Sequence, residues 1–252
     1  MLSHRQPLIA LARAPNDEKA MDAIDLTHHV FRLTLDGELF LAPIGDNPLQ
    51  VLDLGTGTGI WAMEFADQFP SAFVTGTDIS PIQPTWVPPN LQFEVHDFEG
   101  RWTYKKNSFD FIHARSIFGC VANYNDFYAK VLDHLRPGGW YEQAETSVEP
   151  MSQDGSTRGT PLEKWGPLSL EAGDKYGKTL RIVHETEERM KAAGFVNVRY
   201  EKRVWPLGPW TKNKRLKTIG LYNRVAWEEG MEGWTMYLFT RYLGVCWLGI
   251  YL

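Results

Sequence analysis

A doubly wound α/β fold is what this sequence predicts, and three observations predict it. Residues 49–54 form a short apolar run, Gly55 to Gly59 turn sharply, and residues 60–68 open a helical pattern. Strand, glycine turn and helix are how such a sheet begins. Further short apolar runs then alternate with helical patterns, as parallel strands joined by crossovers require. The third observation is size: 252 residues, 43% of them apolar, fit one embellished domain with a sizeable core better than two full ones.

The elements follow in order. Residues 1–14 hold an apolar run, 7–12, between single arginines; it is too short for a leader and lacks a small-residue cleavage signal, so the expectation is a soluble, untargeted chain. Residues 1–48 read as an N-terminal helical cover and 49–252 as the domain proper. A second strand is expected over 73–79, ending in Thr77 and Asp78, and a third over 91–95. Between them Pro81, Pro84, Pro88 and Pro89 deny the connection an ordinary crossover helix, leaving a loop with Trp86 and Val87 as its apolar cover. The fourth strand falls on 109–113. Residues 126–135 place Phe127, Val131 and Leu135 at helical spacing, Arg136-Pro137-Gly138-Gly139 ends that helix, and 140–148 begins the fifth strand. Turn formers crowd 149–177, which reads as a loop-rich insertion. A helix over 179–193, a sixth strand over 195–204 and a helix over 216–227 complete the pattern.

Composition narrows the partners. The net charge is −5, and apart from Lys212, Lys214, Arg215 and Lys217 the basic residues are scattered, so no broad basic face invites nucleic acid. Cys120 and Cys246 are too few and too far apart for a disulfide scaffold or a thiolate zinc site. A reducing compartment and no metal are expected, and no apolar stretch reaches the length of a transmembrane segment.

The glycine turn selects a ligand class. In Asp53-Leu54-Gly55-Thr56-Gly57-Thr58-Gly59 the glycines stand at positions one, three and five, whereas a dinucleotide fingerprint needs one, three and six, and the sixth position here is Ile60. The odd spacing resembles motif I of methyltransferases, whose turn bends around the methionine part of S-adenosylmethionine. Asp78, at the end of the second strand, lies where this fold binds ribose, and a carboxylate can accept two ribose hydroxyls. Asp97 and Phe98, after the third strand, suit an adenine: a carboxylate for the exocyclic amine, a ring or backbone for the flat face. Each alone is weak, since tight turns use glycine for geometry, Asp78 could close an Asx turn, Asp97 could cap a turn and Phe98 could be core. All three in order are stronger.

Longer segments then carry a specific resemblance. His28-His29-Val30-Phe31, Asp36-Gly37-Glu38-Leu39-Phe40-Leu41-Ala42-Pro43, Asp53 to Gly59 and Asp78-Ile79-Ser80-Pro81-Ile82-Gln83-Pro84 resemble the fungal LaeA-like methyltransferases, as do Trp86-Val87-Pro88-Pro89-Asn90, Asp110, His113, Arg115, Leu135 to Trp140 and Glu142. The resemblance spans roughly residues 16–244. It implies a Rossmann-like methyltransferase sheet with S-adenosyl-L-methionine as donor, held by Asp53, Gly55, Thr56, Gly57, Gly59, Asp78, Ile79, Asp97 and Phe98. It also implies one of two settings: a nuclear regulator of secondary metabolism that sits with a velvet-like protein partner, or a cytoplasmic or nuclear enzyme that methylates a small molecule or protein.

Methyl transfer from a sulfonium is a direct displacement, so the protein chiefly aligns the reactants in a dry site. A base is needed only when the acceptor loses a proton. His28 and His29 are candidates because an imidazole works near neutral pH, against the simpler reading that they are structural or solvated. His113 and Arg115 share one parity of the fourth strand and could orient an acidic or carbonyl-bearing acceptor; equally, Arg115 could pair with a structural acid such as Glu142. Trp61, Trp86, Trp102, Tyr104, Trp140 and Trp165 could line an aromatic pocket, though single aromatics are more often core.

The C-terminal end departs from the family pattern. After Arg241-Tyr242-Leu243-Gly244 the relatives run on through a helix and a strand, while this chain ends in Val245-Cys246-Trp247-Leu248-Gly249-Ile250-Tyr251-Leu252. The expectation is an incomplete C-terminus whose sheet lacks the usual final antiparallel strand, with catalytic weakness or inactivity as the alternative to an active enzyme.

Overall fold

The computed structural model describes residues 17–245. Two compact units divide them: 17–115, 133–143 and 201–231 form the first, and 116–132, 144–200 and 232–245 the second.

The first unit carries the sheet. Helix α1, Glu18–Thr34, starts on Asp17, whose carboxylate accepts the Ala20 N–H at 2.9 Å and so satisfies one of the free donors of the first turn. After it come β1 (Gln50–Leu54), α2 (Ile60–Gln68), β2 (Phe73–Asp78), β3 (Leu91–Val95), β4 (Phe109–Arg115) and β5 (Leu135–Ala144, whose last residue falls in the second unit), hydrogen-bonded in the order β3-β2-β1-β4-β5. β1 runs parallel to both β2 and β4, and β2 parallel to β3. The chain therefore reverses its direction of winding between β1 and β4, the switch point at which such sheets bind ligands. Leu54 lies level with Thr77 and Ala114, and Asp78 with Val95, so the loops leaving these four strands open at one end. α2 buries Trp61, Ala62, Phe65 and Ala66 on Val51, Val74 and Phe111 of the strands, with Leu39 and Phe40 packed beside them.

The proline-rich link between β2 and β3 is the loop the sequence demanded. Asn90 ends it, its side-chain amide donating to the carbonyls of Ala66, Phe69 and Ala72 at 3.0, 3.2 and 3.0 Å; Trp86, expected as apolar cover, is instead 93% exposed.

In the second unit Leu170, Ala172, Leu180, Leu238 and Phe239 form a separate core. Helix α3, Tyr124–His134, and the long α6, Lys214–Leu243, each have residues in both units, while α4 (Pro161–Tyr176) and α5 (Thr186–Ala193) lie wholly in the second.

Four expectations change. Residues 149–177 hold the 16-residue α4 rather than loop alone. Its prolines and glycines hid it: Pro161 opens the helix where a missing N–H costs nothing. Gly166 and Gly173 are small because a Cβ there would lie 3.0 Å from Glu149 Cγ and 2.8 Å from Leu180 Cγ. The Arg136-Pro137-Gly138-Gly139 stretch belongs to β5 instead of ending a helix before it, since Gly139 lets the backbone approach the Phe109 and Asp110 carbonyls, both 3.0 to 3.1 Å from where its Cβ would be. The sixth strand expected over 195–204 is absent. Asn197 turns left-handed at φ 56°, which breaks the extended run, and Val196, Tyr200 and Val204 are exposed. Finally, the helix expected over 216–227 runs on to Leu243.

Among the described residues no antiparallel strand joins this five-stranded sheet. The C-terminal tail, 246–252, and the N-terminal run, 1–16, lie outside the described residues. No described helix is long and apolar enough to cross a membrane.

Candidate functional site

The turn after β1 takes a backbone path that side chains resist. Gly55, Gly57 and Gly59 have φ of 68°, 59° and 83°, the left-handed region that glycine enters without penalty. Gly59 is crowded as well, because a Cβ there would lie 2.3 Å from the Phe93 ring. That ring, reaching across from β3, also requires Gly76 of β2, whose Cβ would sit 2.7 Å from it. Gly57 differs. A Cβ there would meet only Ile24 of α1, at 3.5 Å, so of the two it is the one a ligand can approach closely.

Hydrogen bonds fix the turn from four sides. Thr56 donates its N–H to Thr77 O at 2.9 Å and its hydroxyl to Asp53 at 2.6 Å. Thr58 donates to Asp25 of α1 at 2.6 Å. Gly57 donates its N–H to Asp78 Oδ2 at 2.9 Å, and its carbonyl accepts from the Gln83 amide at 2.6 Å. Asp78 Oδ1 accepts the Ser80 N–H at 2.9 Å. Each carboxylate oxygen has two acceptor positions, so the group can take further donors beside these. Burial pushes the Asp78 carboxyl up, against the backbone bonds from Ser80 and Gly57; further hydroxyl donors would offset that desolvation.

The next strand end is less complete. Asp97 closes a turn, its Oδ1 accepting the Glu99 N–H at 2.9 Å, and it is half-buried like Ile79. Phe98 is only 8% exposed, so its ring belongs to the interior and the backbone at 97–98 is what this position offers a flat ligand. Asp53, expected to help hold the donor, is buried beneath the turn between Thr56 and His113.

The four catalytic candidates have other partners. His28 accepts from the Arg115 guanidinium at its Nδ1, 3.0 Å away, and its Nε2 lies 3.2 Å from Glu64. A ring nitrogen that accepts carries no proton, which assigns the remaining proton to Nε2, facing Glu64. Burial, then Arg115, lowers the His28 pKa to about 4. Burial also lowers that of Arg115 to about 10, and its guanidinium sits 4.8 Å from the centre of the Phe31 ring. Arg115 thus binds α1; Glu142, its other suggested partner, instead accepts the Leu41 and Ala42 N–H groups at 2.7 Å each. His29 points outward and packs edge-on against Tyr222. His113 is 1% exposed and stacks flat on Trp61, with centroids 3.7 Å apart.

Of the tryptophans in the first unit, Trp61 is buried and donates to Leu39 O at 2.9 Å, Trp102 is buried and donates to Phe98 O at 2.8 Å, and Trp86 is exposed. An open groove of about 630 Å³ lies between α1 and α2, lined by Asp25, His28, Arg32, Ile60, Glu64 and Arg215 among others. It does not include Asp78 or Asp97.

Sequence reasoning missed Ile24, Asp25 and Phe93. The first two had a signal, since they stand four and three residues before His28 and so share its helix face. Phe93 had none, because its contact with the turn reaches across an intervening strand, β2.

A family model described as a methyltransferase domain matches residues 26–200. The methyltransferase pytC of Aspergillus terreus is 37% identical over 235 residues, covering 91% of this chain and 71% of pytC. The protein-methionine methyltransferase laeA of Emericella nidulans is 36% identical over 233 residues, which is 90% of this chain and 61% of laeA. Among solved structures the cyclase SpnF superposes with a TM-score of 0.52 at 18% identity, over 86% of this chain and 68% of SpnF, a likeness of fold alone.

Proposed function

The chain belongs to the LaeA-like family of class I methyltransferases, and we propose that it transfers a methyl group from S-adenosylmethionine to a small metabolite or a protein in fungal secondary metabolism. One observation carries this reading: the 2.9 Å bond from the Gly57 N–H to Asp78. It ties the glycine turn to the carboxylate at the end of the neighbouring strand, beside the switch point of the sheet.

The residues suit the donor. The open side of Gly57 admits the methionine part, the spare acceptor positions of Asp78 suit the two ribose hydroxyls, and the unpaired Oδ2 of Asp97 suits an exocyclic amine. Asp53, Gly55, Thr56, Gly59 and Ile79 act by shaping the turn and its flank. S-adenosylmethionine supplies an electrophilic methyl on a sulfonium, open to direct displacement by the acceptor. The chain's share is alignment and exclusion of water. His28 is not the base in this reading, because its accepting nitrogen already faces Arg115.

Titration calorimetry of the folded protein with the product S-adenosylhomocysteine tests the donor site, and transfer of a labelled methyl group into a fungal lysate tests the reaction. Binding that Asp78→Ala weakens, with label incorporation that the same change abolishes, is the expected result. Folded protein that ignores S-adenosylhomocysteine, or binds a dinucleotide more tightly, overturns the reading. A velvet-type partner and a cytoplasmic or nuclear address rest on the family resemblance alone and are tested by co-purification and imaging of the tagged chain.

A further inference from the structure

We infer that His113 is a positioning residue for the donor, setting the shape of the glycine turn from beneath through Asp53. The inference rests on the donor site proposed above. His113 Nδ1 lies 2.7 Å from Asp53 Oδ1, and the other oxygen of Asp53 accepts the Thr56 hydroxyl at 2.6 Å. A carboxylate only accepts, so Nδ1 carries the proton and donates. All three residues are buried, with His113 1%, Asp53 3% and Thr56 8% exposed. Water therefore does not replace any of these bonds, and an unmet partner keeps its full desolvation penalty.

The imidazole has no freedom to swing away. It lies flat on Trp61, 6° from parallel, and Trp61 is itself tied to Leu39 O at 2.9 Å. β1 and β4 place Asp53 and His113 opposite each other in register, so the pair spans the switch point of the sheet. A chain of contacts then runs from α2 through His113 and Asp53 to Thr56. The next residue is Gly57, whose N–H meets Asp78. His113 touches none of the residues that face the donor. It acts by holding Thr56, and hence the direction of the Gly57 N–H, before any ligand arrives.

Two substitutions separate this role from simple packing. His113→Asn keeps an N–H near the position of Nδ1 but loses the ring; His113→Phe keeps the ring on Trp61 but leaves Asp53 Oδ1 unpaired. The readouts are S-adenosylhomocysteine affinity, the thermal midpoint without ligand, and amide hydrogen exchange of residues 56–59 in the ligand-free protein. His113→Phe is expected to weaken affinity by about tenfold or more, the effect of one buried group left unpaired, and to speed exchange in the turn. His113→Asn should recover most of the affinity while melting lower than His113→Phe.

If affinity and exchange simply follow the thermal midpoint in both variants, His113 is a core residue and the inference fails. Should His113→Phe not fold, Thr56→Val cuts the same chain from the other side. It must weaken binding while His113→Asn does not; equal affinity for Thr56→Val and the unaltered protein overturns the inference. Hydrogen exchange needs no ligand, so unaltered protein that fails to bind S-adenosylhomocysteine would sink the donor reading without deciding the turn's dependence on His113.

Discussion

Acidification should weaken this fold through one residue, His28. The ring is 3% exposed, accepts from Arg115 and faces Glu64 and Arg32 on its other side. Burial and the neighbouring guanidinium hold its pKa near 4, against 6.5 for a free imidazole. Between those values the unfolded chain binds a proton that the folded chain refuses, so stability rises with pH across this window. The contribution is complete above pH 6.5 and is lost as the pH falls toward 4. From the two pKa values the loss is about 1.4 kcal/mol at pH 5.5 and about 2.5 kcal/mol at pH 4.5. His28→Asn keeps an acceptor for Arg115 and does not titrate. Urea unfolding of both proteins from pH 7.5 to 4.5 reads the effect as a difference, in which groups that do not contact His28 cancel. The variant should gain on the parent by these amounts as the pH drops. A difference that stays constant within about 0.5 kcal/mol over the window would falsify the buried, neutral assignment of His28.

Three further outcomes follow from the same geometry. Burial raises the Asp78 carboxyl, so S-adenosylhomocysteine affinity should begin to fall at a higher pH than an ordinary carboxylate would cause. Asp78→Asn should bind at least about tenfold more weakly at neutral pH and lose that dependence, as calorimetry at several pH values will read. Gly59→Ala combines a left-handed φ of 83° with a 2.3 Å clash and should destabilise by about 2–5 kcal/mol, against about 1–2 for Gly57→Ala, which meets only the conformational penalty. Phe93→Leu in the Gly59→Ala background should recover the clash but not the rest, measured by the same unfolding. Glu142→Ala strands the N–H groups of Leu41 and Ala42 and should cost about 1–2 kcal/mol of stability while leaving S-adenosylhomocysteine affinity unchanged.

What the sequence made legible was whatever depends on neighbours along the chain. The strand, glycine turn and helix at 50–68 fall where the apolar run and the glycines put them, because a left-handed turn and a 3.6-residue period are local properties. The β5 boundary and α4 depend on distant backbone instead. Gly138 and Gly139 look like a helix stop when read alone, yet Gly139 exists to let β5 lie close to the carbonyls of β4. Gly166 and Gly173 look like loop residues, yet each makes room for a residue from another segment, Glu149 and Leu180. Glycine records that something approaches, without saying from where.

The site divides along the same line. Residues that act through their own loop, such as Gly57 and Asp78, stand out by type and order. Titratable residues stand out too, as catalysts or as structural groups without a fixed choice, because a sequence shows a side chain's chemistry and hides its partners. Asp53, His113, His28 and Arg115 all lie at the level where β1, β4 and α1 meet, and their partners are one another, Thr56, Glu64 and Phe31. One acid and three basic residues spread over residues 28–115 fold into two hydrogen-bonded pairs, His113 with Asp53 and Arg115 with His28. A direct displacement asks little of acids or bases and much of alignment, so charged residues close to the donor turn are free to serve as struts. Histidine and arginine beside a methyltransferase turn are therefore better read first as supports, and as catalysts only where a structure leaves them an unoccupied nitrogen facing the ligand.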